Sequence, residues 1–324
     1  MDTILHATAP VQMLIGLGWL AARWRWLSAD QGRALGRFVA CFCVPALMLR
    51  TLMGLRPAEV LRLDVVLPYA VGSLATFALV HVFARMAGRR PHAVAAIEGL
   101  GAAGSNSMFV GLPVLLALLG PTATLGLALV QLVENLLVIP LGLLLIDLKA
   151  GGVQDGAGRA PGRGARLRGV LGATARSVLH NPLVLSVLAG LALSALSVRP
   201  PGPVDAVLRL LAGAAAPAAL CAIGVALAGL RPAGQWPDLL GVAGAKLLLH
   251  PLAVLLALQV WAPADPLLWQ ATLLFAAMPM MSIYPIFGQR AGQEGLCAGA
   301  LLAATVASVV TVPGWVLLAR NLGG

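Results

Sequence analysis

The chain has 324 residues, of which 60% are hydrophobic and only 10% charged, with a formal net charge of +10 and a mean hydropathy of +0.92. A soluble globular protein is roughly half apolar and a quarter charged, so this composition excludes a water-soluble fold. The positive balance does not indicate nucleic-acid binding either, because the arginines sit in short loops between apolar runs rather than along one polar face.

Apolar runs of about 20 residues, each long enough to cross a bilayer core of roughly 30 Å, cover nearly all of the chain. In chain order they predict helices over 4–22, 36–53, 65–84, 93–119, 122–146, 177–197, 205–229, 239–260, 267–289 and 295–318. The first run carries Pro10, lacks a basic leading segment and reads as a retained span rather than a cleaved signal peptide. Between the fifth and sixth runs lies a stretch rich in Gly and Arg (Gly151, Gly152, Gly156, Arg159, Arg163, Arg166, Arg168) with no apolar periodicity, which reads as a linker. The predicted fold class is an all-α membrane protein with ten transmembrane helices. A first five-helix repeat covers 1–146, a cytoplasmic linker 147–176, and a second five-helix repeat 177–324.

An odd number of spans per repeat makes the second half enter from the opposite side, so the 5+5 repeat is inverted. Lys and Arg are concentrated in loops 1–2, 3–4, 5–6, 7–8 and 9–10. By the positive-inside rule those loops are cytoplasmic and both termini are external.

The repeat is visible in the prolines. Pro10, Pro45 and Pro113 recur as Pro182, Pro217 and Pro285, 172 residues later in each case (182 less 10, 217 less 45, 285 less 113), and Pro140 recurs one residue late as Pro313. Asn106 to Pro113 (Asn-Ser-Met-Phe-Val-Gly-Leu-Pro) interrupts span 4 near its middle, and Pro279 to Pro285 interrupts span 9 at the matching place. Interrupted helices at corresponding positions of two halves point to a transporter's binding site. If the two breaks cross, the half-helix N-termini present partial positive charge to a carboxylate. A single proline kink is ordinary membrane packing; the shared register favours the functional reading.

Asn106 opens the first break between Ser105 and Ser107, near mid-membrane, where its amide both donates and accepts. It is read, with Ser107 beside it, as a substrate contact rather than as interhelical hydrogen-bond glue. Met278 stands at the equivalent repeat position, so further contacts come from the backbone, Ser282 or Tyr284. Gln131, Glu134 and Asn135 share one face of span 5. Glu134 lies roughly 18 Å along that span, and a charged acid at the bilayer centre costs roughly 2.5–3.5 kcal/mol on insertion scales. It therefore faces a cavity, pairs with a cation or is protonated, as a coupling-proton site or as a structural acid. Lys246, the only lysine inside a span, either attracts an anion or snorkels to the membrane surface.

Other motifs are set aside. Gly99 to Gly104 fits Gly-x-Gly-x-x-Gly without a preceding strand, so it is not a dinucleotide site. Five dispersed histidines and four cysteines (Cys41, Cys43, Cys221, Cys297) in apolar runs give no metal spacing, and no metal or other cofactor is expected. No hydrolase elbow or His-Glu-x-x-His pair is present in the sequence.

The segment Gly104 to Val114, with Asn106 and Pro113 seven residues apart, resembles the span-4 motif of the auxin efflux carrier family. The resemblance covers the whole chain: Lys246 to Pro251 (Lys-Leu-Leu-Leu-His-Pro) is similar to the family's span-8 pattern, Ala277 to Pro285 to its span-9 crossover, and Asn181-Pro182 to its span-6 start. It implies crossed transport helices, scaffold helices and alternating access, with organic anions as substrates and malate or malonate carriers as bacterial relatives; the compact linker and short chain are similar to the bacterial branch, which implies a bacterial inner membrane with both termini periplasmic. It carries substrate contacts onto Asn106 and Asn181, and crossover positions onto Pro113, Pro279 and Pro285. The chain departs from the plant carriers in having no acidic residue inside span 3, whose polar positions include Ser73 and Thr76.

The expected function is secondary transport of a small organic anion, not catalysis. The partners are that anion, the lipid bilayer, a proton as the coupling ion, and a second copy in a homodimer, with no nucleic acid. The competing readings are a sodium-coupled, bile-acid-like anion symporter, for which Met278, Met280 and Met281 leave the crossover poor in oxygen ligands, a membrane sensor, and a membrane enzyme.

Overall fold

The computed structural model describes residues 2–53, 62–147, 182–229 and 236–322. Among these residues the chain is all-helical, without strands. That is the outcome that apolar sequence dictates in lipid, where every backbone N–H and C=O must be satisfied within the protein. We number the helices α1 (Asp2–Arg23), α2 (Ala29–Leu52), α3 (Leu63–Met86), α4 (His92–Ala103), α5 (Ser107–Leu119), α6 (Thr122–Ile146), α7 (Pro182–Ala195), α8 (Gly202–Gly229), α9 (Trp236–Leu258), α10 (Pro266–Ala277), α11 (Tyr284–Arg290) and α12 (Glu294–Leu322). Six of them, α2, α3, α6, α8, α9 and α12, are long and apolar enough to cross a membrane by length and composition. Nearly all of the expected linker, and Asn181, lie outside the described residues.

The sequence misplaces the start of α2. Its apolar run begins near residue 36, yet the helix starts at Ala29. Ser28 and Gln31 form a reciprocal capping box, with the Ser28 N–H donating to Gln31 Oε1 at 2.7 Å and the Gln31 N–H donating to Ser28 Oγ at 3.3 Å. Two of the orphan donors of the first turn are thereby satisfied. The added turns carry Asp30 and Arg33, which are exposed and paired with each other.

Four helices contain a five-residue π turn: Val39–Cys43 in α2, Ser107–Gly111 at the start of α5, Glu134–Val138 in α6 and Ala245–Leu249 in α9. Each is closed by an i→i−5 bond, from Val44 to Val39, Leu112 to Ser107, Ile139 to Glu134 and His250 to Ala245. In every case the next residue is proline (Pro45, Pro113, Pro140, Pro251). A proline inside a helix lacks its N–H and presses its ring on the carbonyl four residues back; a widened turn displaces that carbonyl. Pro10, Pro68, Pro217 and Pro313 lie inside helices without such a turn, so proline alone does not impose one.

The helices sort into two bundles. In one, α8 packs along α1 and α2, and α7 packs on α2. Close approach there depends on Gly224, where a Cβ would stand 2.0 Å from the Ile15 carbonyl oxygen. In the other, α3 packs on α4, α6 and α9, α10 on α6, α9 and α12, and α11 on α12. Between bundles, α1 touches α5 and α12, α2 touches α6, and α8 touches the π turn of α5. Large apolar side chains such as Phe83, Leu256 and Val310 face outward, as lipid contact requires.

Candidate functional site

α4 ends at Ala103 and α5 begins at Ser107, while α10 ends at Ala277 and α11 begins at Tyr284. These two interruptions cross. Ser105 and Met280 form an isolated antiparallel bridge, and the Asn106 N–H donates to the Pro279 carbonyl at 2.7 Å. Asn106 Nδ2 donates to Ser282 Oγ, also at 2.7 Å. The first interruption is shorter than the Asn106 to Pro113 segment read from sequence, because the chain re-enters a π turn at Ser107 and Pro113 already lies in regular helix. Pro279 supplies the accepting carbonyl of the crossing and Pro285 sits in the first turn of α11.

Glu134 braces the crossing from α6. It is the first residue of the π turn in α6 and is buried. Its Oε1 accepts from the Tyr69 hydroxyl at 2.7 Å, the Ser107 hydroxyl at 3.0 Å and the Ser105 N–H at 3.1 Å. Tyr69 Oη also lies 3.3 Å from Ser105 Oγ. One carboxylate oxygen thus ties α3, α6 and the interrupted backbone together, and three donors to a single anion form a strong, charge-assisted cluster. In this arrangement the N–H groups of Ser105 and Asn106 are both engaged inside the protein.

Lys246 occupies the second position of the π turn in α9 and is fully buried, so the snorkelling alternative does not hold. Its Nζ donates to the Ala276 carbonyl at 2.6 Å and lies 2.7 Å from His250 Nδ1. An ammonium group has only donors; His250 Nδ1 therefore accepts, and Nε2–H is left to meet Ser73 Oγ at 2.8 Å. Lys246 makes no ion pair within 4.0 Å among the described residues; Glu134 lies at the other interruption and acts on it only through space.

The remaining sequence candidates spread around this centre. Ser107 spends its hydroxyl on Glu134 and Ser282 receives the Asn106 amide. The Tyr284 hydroxyl donates to the Ile97 carbonyl at 3.0 Å, and its ring fills the space beside Gly101, where a Cβ would stand 2.3 Å from Tyr284 Cζ. Asn135 folds back to donate to the Gln131 carbonyl at 2.9 Å, and only Glu134 of that trio is buried. Asn181 lies outside the described residues.

Sequence reasoning missed Tyr69 and His250 and noted Ser73 without a role. A signal existed for each: Tyr69, Ser73 and Thr76 recur at helical spacing on α3, and Lys246 and His250 are four apart. A void of only about 10 Å³ borders the crossing, among Gln12, Val110, Met278 and Ser308, and at that size it holds about one water. A groove of about 500 Å³ opens elsewhere, between α3, α4 and α9 around Arg90, Glu98 and Asp238, and no crossing residue lines it. There Arg90 pairs with Asp238 and lies 3.9 Å from Glu98.

A helical membrane protein whose two interrupted helices cross at a polar, buried centre is an arrangement known from carriers, and comparison with known proteins agrees. The family described as "Membrane transport protein" matches residues 3–316. A relative from Rhizobium meliloti named "Putative malonate transporter" is 33% identical over 327 residues, spanning 99% of this chain and 97% of its own length. A relative from Escherichia coli K12 named "Uncharacterized transporter YfdV" is 26% identical over 318 residues, covering 96% of each chain, and its Shigella flexneri counterpart matches equally. The chain is a multi-pass membrane protein that belongs to the membrane transport protein family, the family of the auxin efflux carriers.

Proposed function

We propose that this protein is a secondary carrier that moves a small organic anion, a mono- or dicarboxylate of the malonate or malate kind, across a bacterial inner membrane by alternating access. The observation that carries the reading is the position of Asn106. It stands at the crossing, it opens the turn Ser107–Gly111 that packs against α8 of the other bundle, and its amide is held by nothing stronger than the neutral Ser282 hydroxyl. A substrate carboxylate that replaced Ser282 would convert that bond into a charge-assisted one, roughly twice as strong. The neighbouring void takes about one water, so a carboxylate enters only when the bundle of α1, α2, α7 and α8 parts from the other. Malonate comes first among candidates because the Rhizobium meliloti relative is named for it.

The topology proposed with this function has ten spans in two inverted five-helix repeats, both termini periplasmic. Its support is that helices occupy each of the ten expected ranges, with spans 4 and 9 interrupted. The pairing at the crossing adds to it. Ser105 opposite Met280 and Asn106 opposite Pro279 put the centre of a 172-residue repeat between 106 and 107, inside the break. Tags on the two termini, probed in intact and permeabilised cells, should respond alike from the periplasmic side; tags on opposite faces would overturn the topology.

The test of function is counterflow in proteoliposomes, screening mono- and dicarboxylates with and without proton and sodium gradients. Asn106→Ala should cut malonate counterflow about tenfold or more at normal membrane abundance, the loss of one charge-assisted hydrogen bond. Unchanged kinetics in that variant would remove Asn106 from the site.

A further inference from the structure

The two interruptions are satisfied by opposite charges. On the α4 side the exposed groups are donors, and Glu134 receives them: the Ser105 N–H and the Ser107 hydroxyl. On the α10 side the exposed groups are carbonyls. Ala276 lies in the last turn of α10, where C=O groups have no partner within the helix and the helix dipole places partial negative charge. Lys246 Nζ meets that carbonyl at 2.6 Å. In carriers with interrupted helices, a half-helix C-terminus is where a coupling cation is coordinated.

We propose that the Lys246 ammonium is a resident cation of the crossing, covalently tethered through α9, which occupies the place of a bound metal ion at the C-terminus of α10 and makes the protein independent of sodium. Three observations converge on this. Lys246 is wholly buried with its charge directed at a helix-terminal carbonyl rather than at the membrane surface. His250 and Ser73 form a relay behind it that fixes the ammonium from the other side. Glu134, the buried acid held on the opposite interruption by the Ser105 N–H and the Ser107 hydroxyl, places an acidic group on the other side of the crossing. The methionines Met278, Met280 and Met281 around the second break are poor ligands for a hard cation, which oxygen donors suit. Lys246 is therefore a positioning residue: it holds the end of α10 so that the Pro279 carbonyl can receive Asn106. Its transport consequence rests on the carrier reading above, but its structural consequence does not.

The experiment uses full-length Lys246→Met, which keeps volume and removes charge, and Lys246→Ala, which leaves room for a free cation. Thermal unfolding followed by tryptophan fluorescence is measured in detergent with choline, sodium or ethylammonium chloride at equal ionic strength. Malonate counterflow is measured in the same salts. The wild type should melt and exchange alike in choline and sodium. Lys246→Met should melt lower in every salt, and Lys246→Ala should regain roughly 2 °C or more in sodium or ethylammonium but not in choline. Lys246→Met combined with Glu134→Gln should recover part of the loss, because both charges are then removed. A Lys246→Met protein that melts and exchanges as the wild type does would overturn the proposal, as would a Lys246→Ala protein indifferent to the cation supplied, or wild-type counterflow that requires sodium. If malonate is not exchanged at all, the substrate reading fails while the melting series still decides the role of Lys246.

Discussion

Replacing Glu134 separates two contributions that the structure places on one atom. Glu134→Ala removes the acceptor of three hydrogen bonds, from Tyr69 at 2.7 Å, Ser107 at 3.0 Å and Ser105 at 3.1 Å, and with it a negative charge. The two hydroxyls can turn; Tyr69 already lies 3.3 Å from Ser105 Oγ. The Ser105 N–H cannot, and a stranded buried donor costs about 1–3 kcal/mol. With two weakened hydroxyl bonds beside it, the expected loss for Glu134→Ala is about 3 kcal/mol. Glu134→Gln keeps an acceptor oxygen for the same donors and loses only the charge, so about 2 kcal/mol is expected. At roughly 2–4 °C per kcal/mol for domains of this general size, melting should fall by roughly 9 °C for Ala and about two-thirds of that for Gln. Tryptophan fluorescence of the purified protein reads both. If Glu134→Ala were no less stable than Glu134→Gln, the three donors would not be what the carboxylate holds, and the argument would fail.

Two further variants probe the packing that positions the site. Gly101→Ala places a methyl 2.3 Å from Tyr284 Cζ, and overpacking of this kind costs about 1–3 kcal/mol; the same change in a Tyr284→Ala background should cost less than about 0.5 kcal/mol, which a double-mutant melting cycle measures. Gly224→Ala drives a methyl to 2.0 Å from the Ile15 carbonyl and should loosen α1 from α8, lowering the melting temperature, whereas Gly213→Ala, with nothing within 4 Å, should leave it unchanged or slightly raised.

The helices and the two interruptions were legible because each rests on local sequence: apolar runs long enough to span, and prolines at matched spacing. The start of α2 was hidden because its first turns are polar and only the Ser28 and Gln31 pair marks them. Lys246 could not be placed from sequence, since its direction depends on the carbonyl of Ala276, thirty residues away and on another helix. Carbonyls carry no residue-type signature. Tyr69 was passed over for a related reason: a tyrosine in an apolar span reads as packing until a carboxylate from α6 is brought to its hydroxyl. Glu134 was singled out correctly as a buried acid, but its partners come from three separate segments, and only the folded chain assembles them.

Each of the four π turns among the described residues contains one residue more than the α turn it replaces; wound regularly, that residue would rotate everything beyond it by about 100° around the helix axis, and the widened turn absorbs it, so that only the count along the sequence shifts. The two ends of α2, α6 and α9 therefore do not share one continuous count, and neighbours assigned by counting threes and fours across the turn are wrong beyond it. Winding 134–138 or 245–249 as regular helix with the same number of residues would swing the following half-helix away from its present contacts, whereas deleting one residue there would restore regular winding and leave that face in place. In this fold, the widened turn lets an added amino acid be carried without changing which face of a whole half-helix meets the crossing.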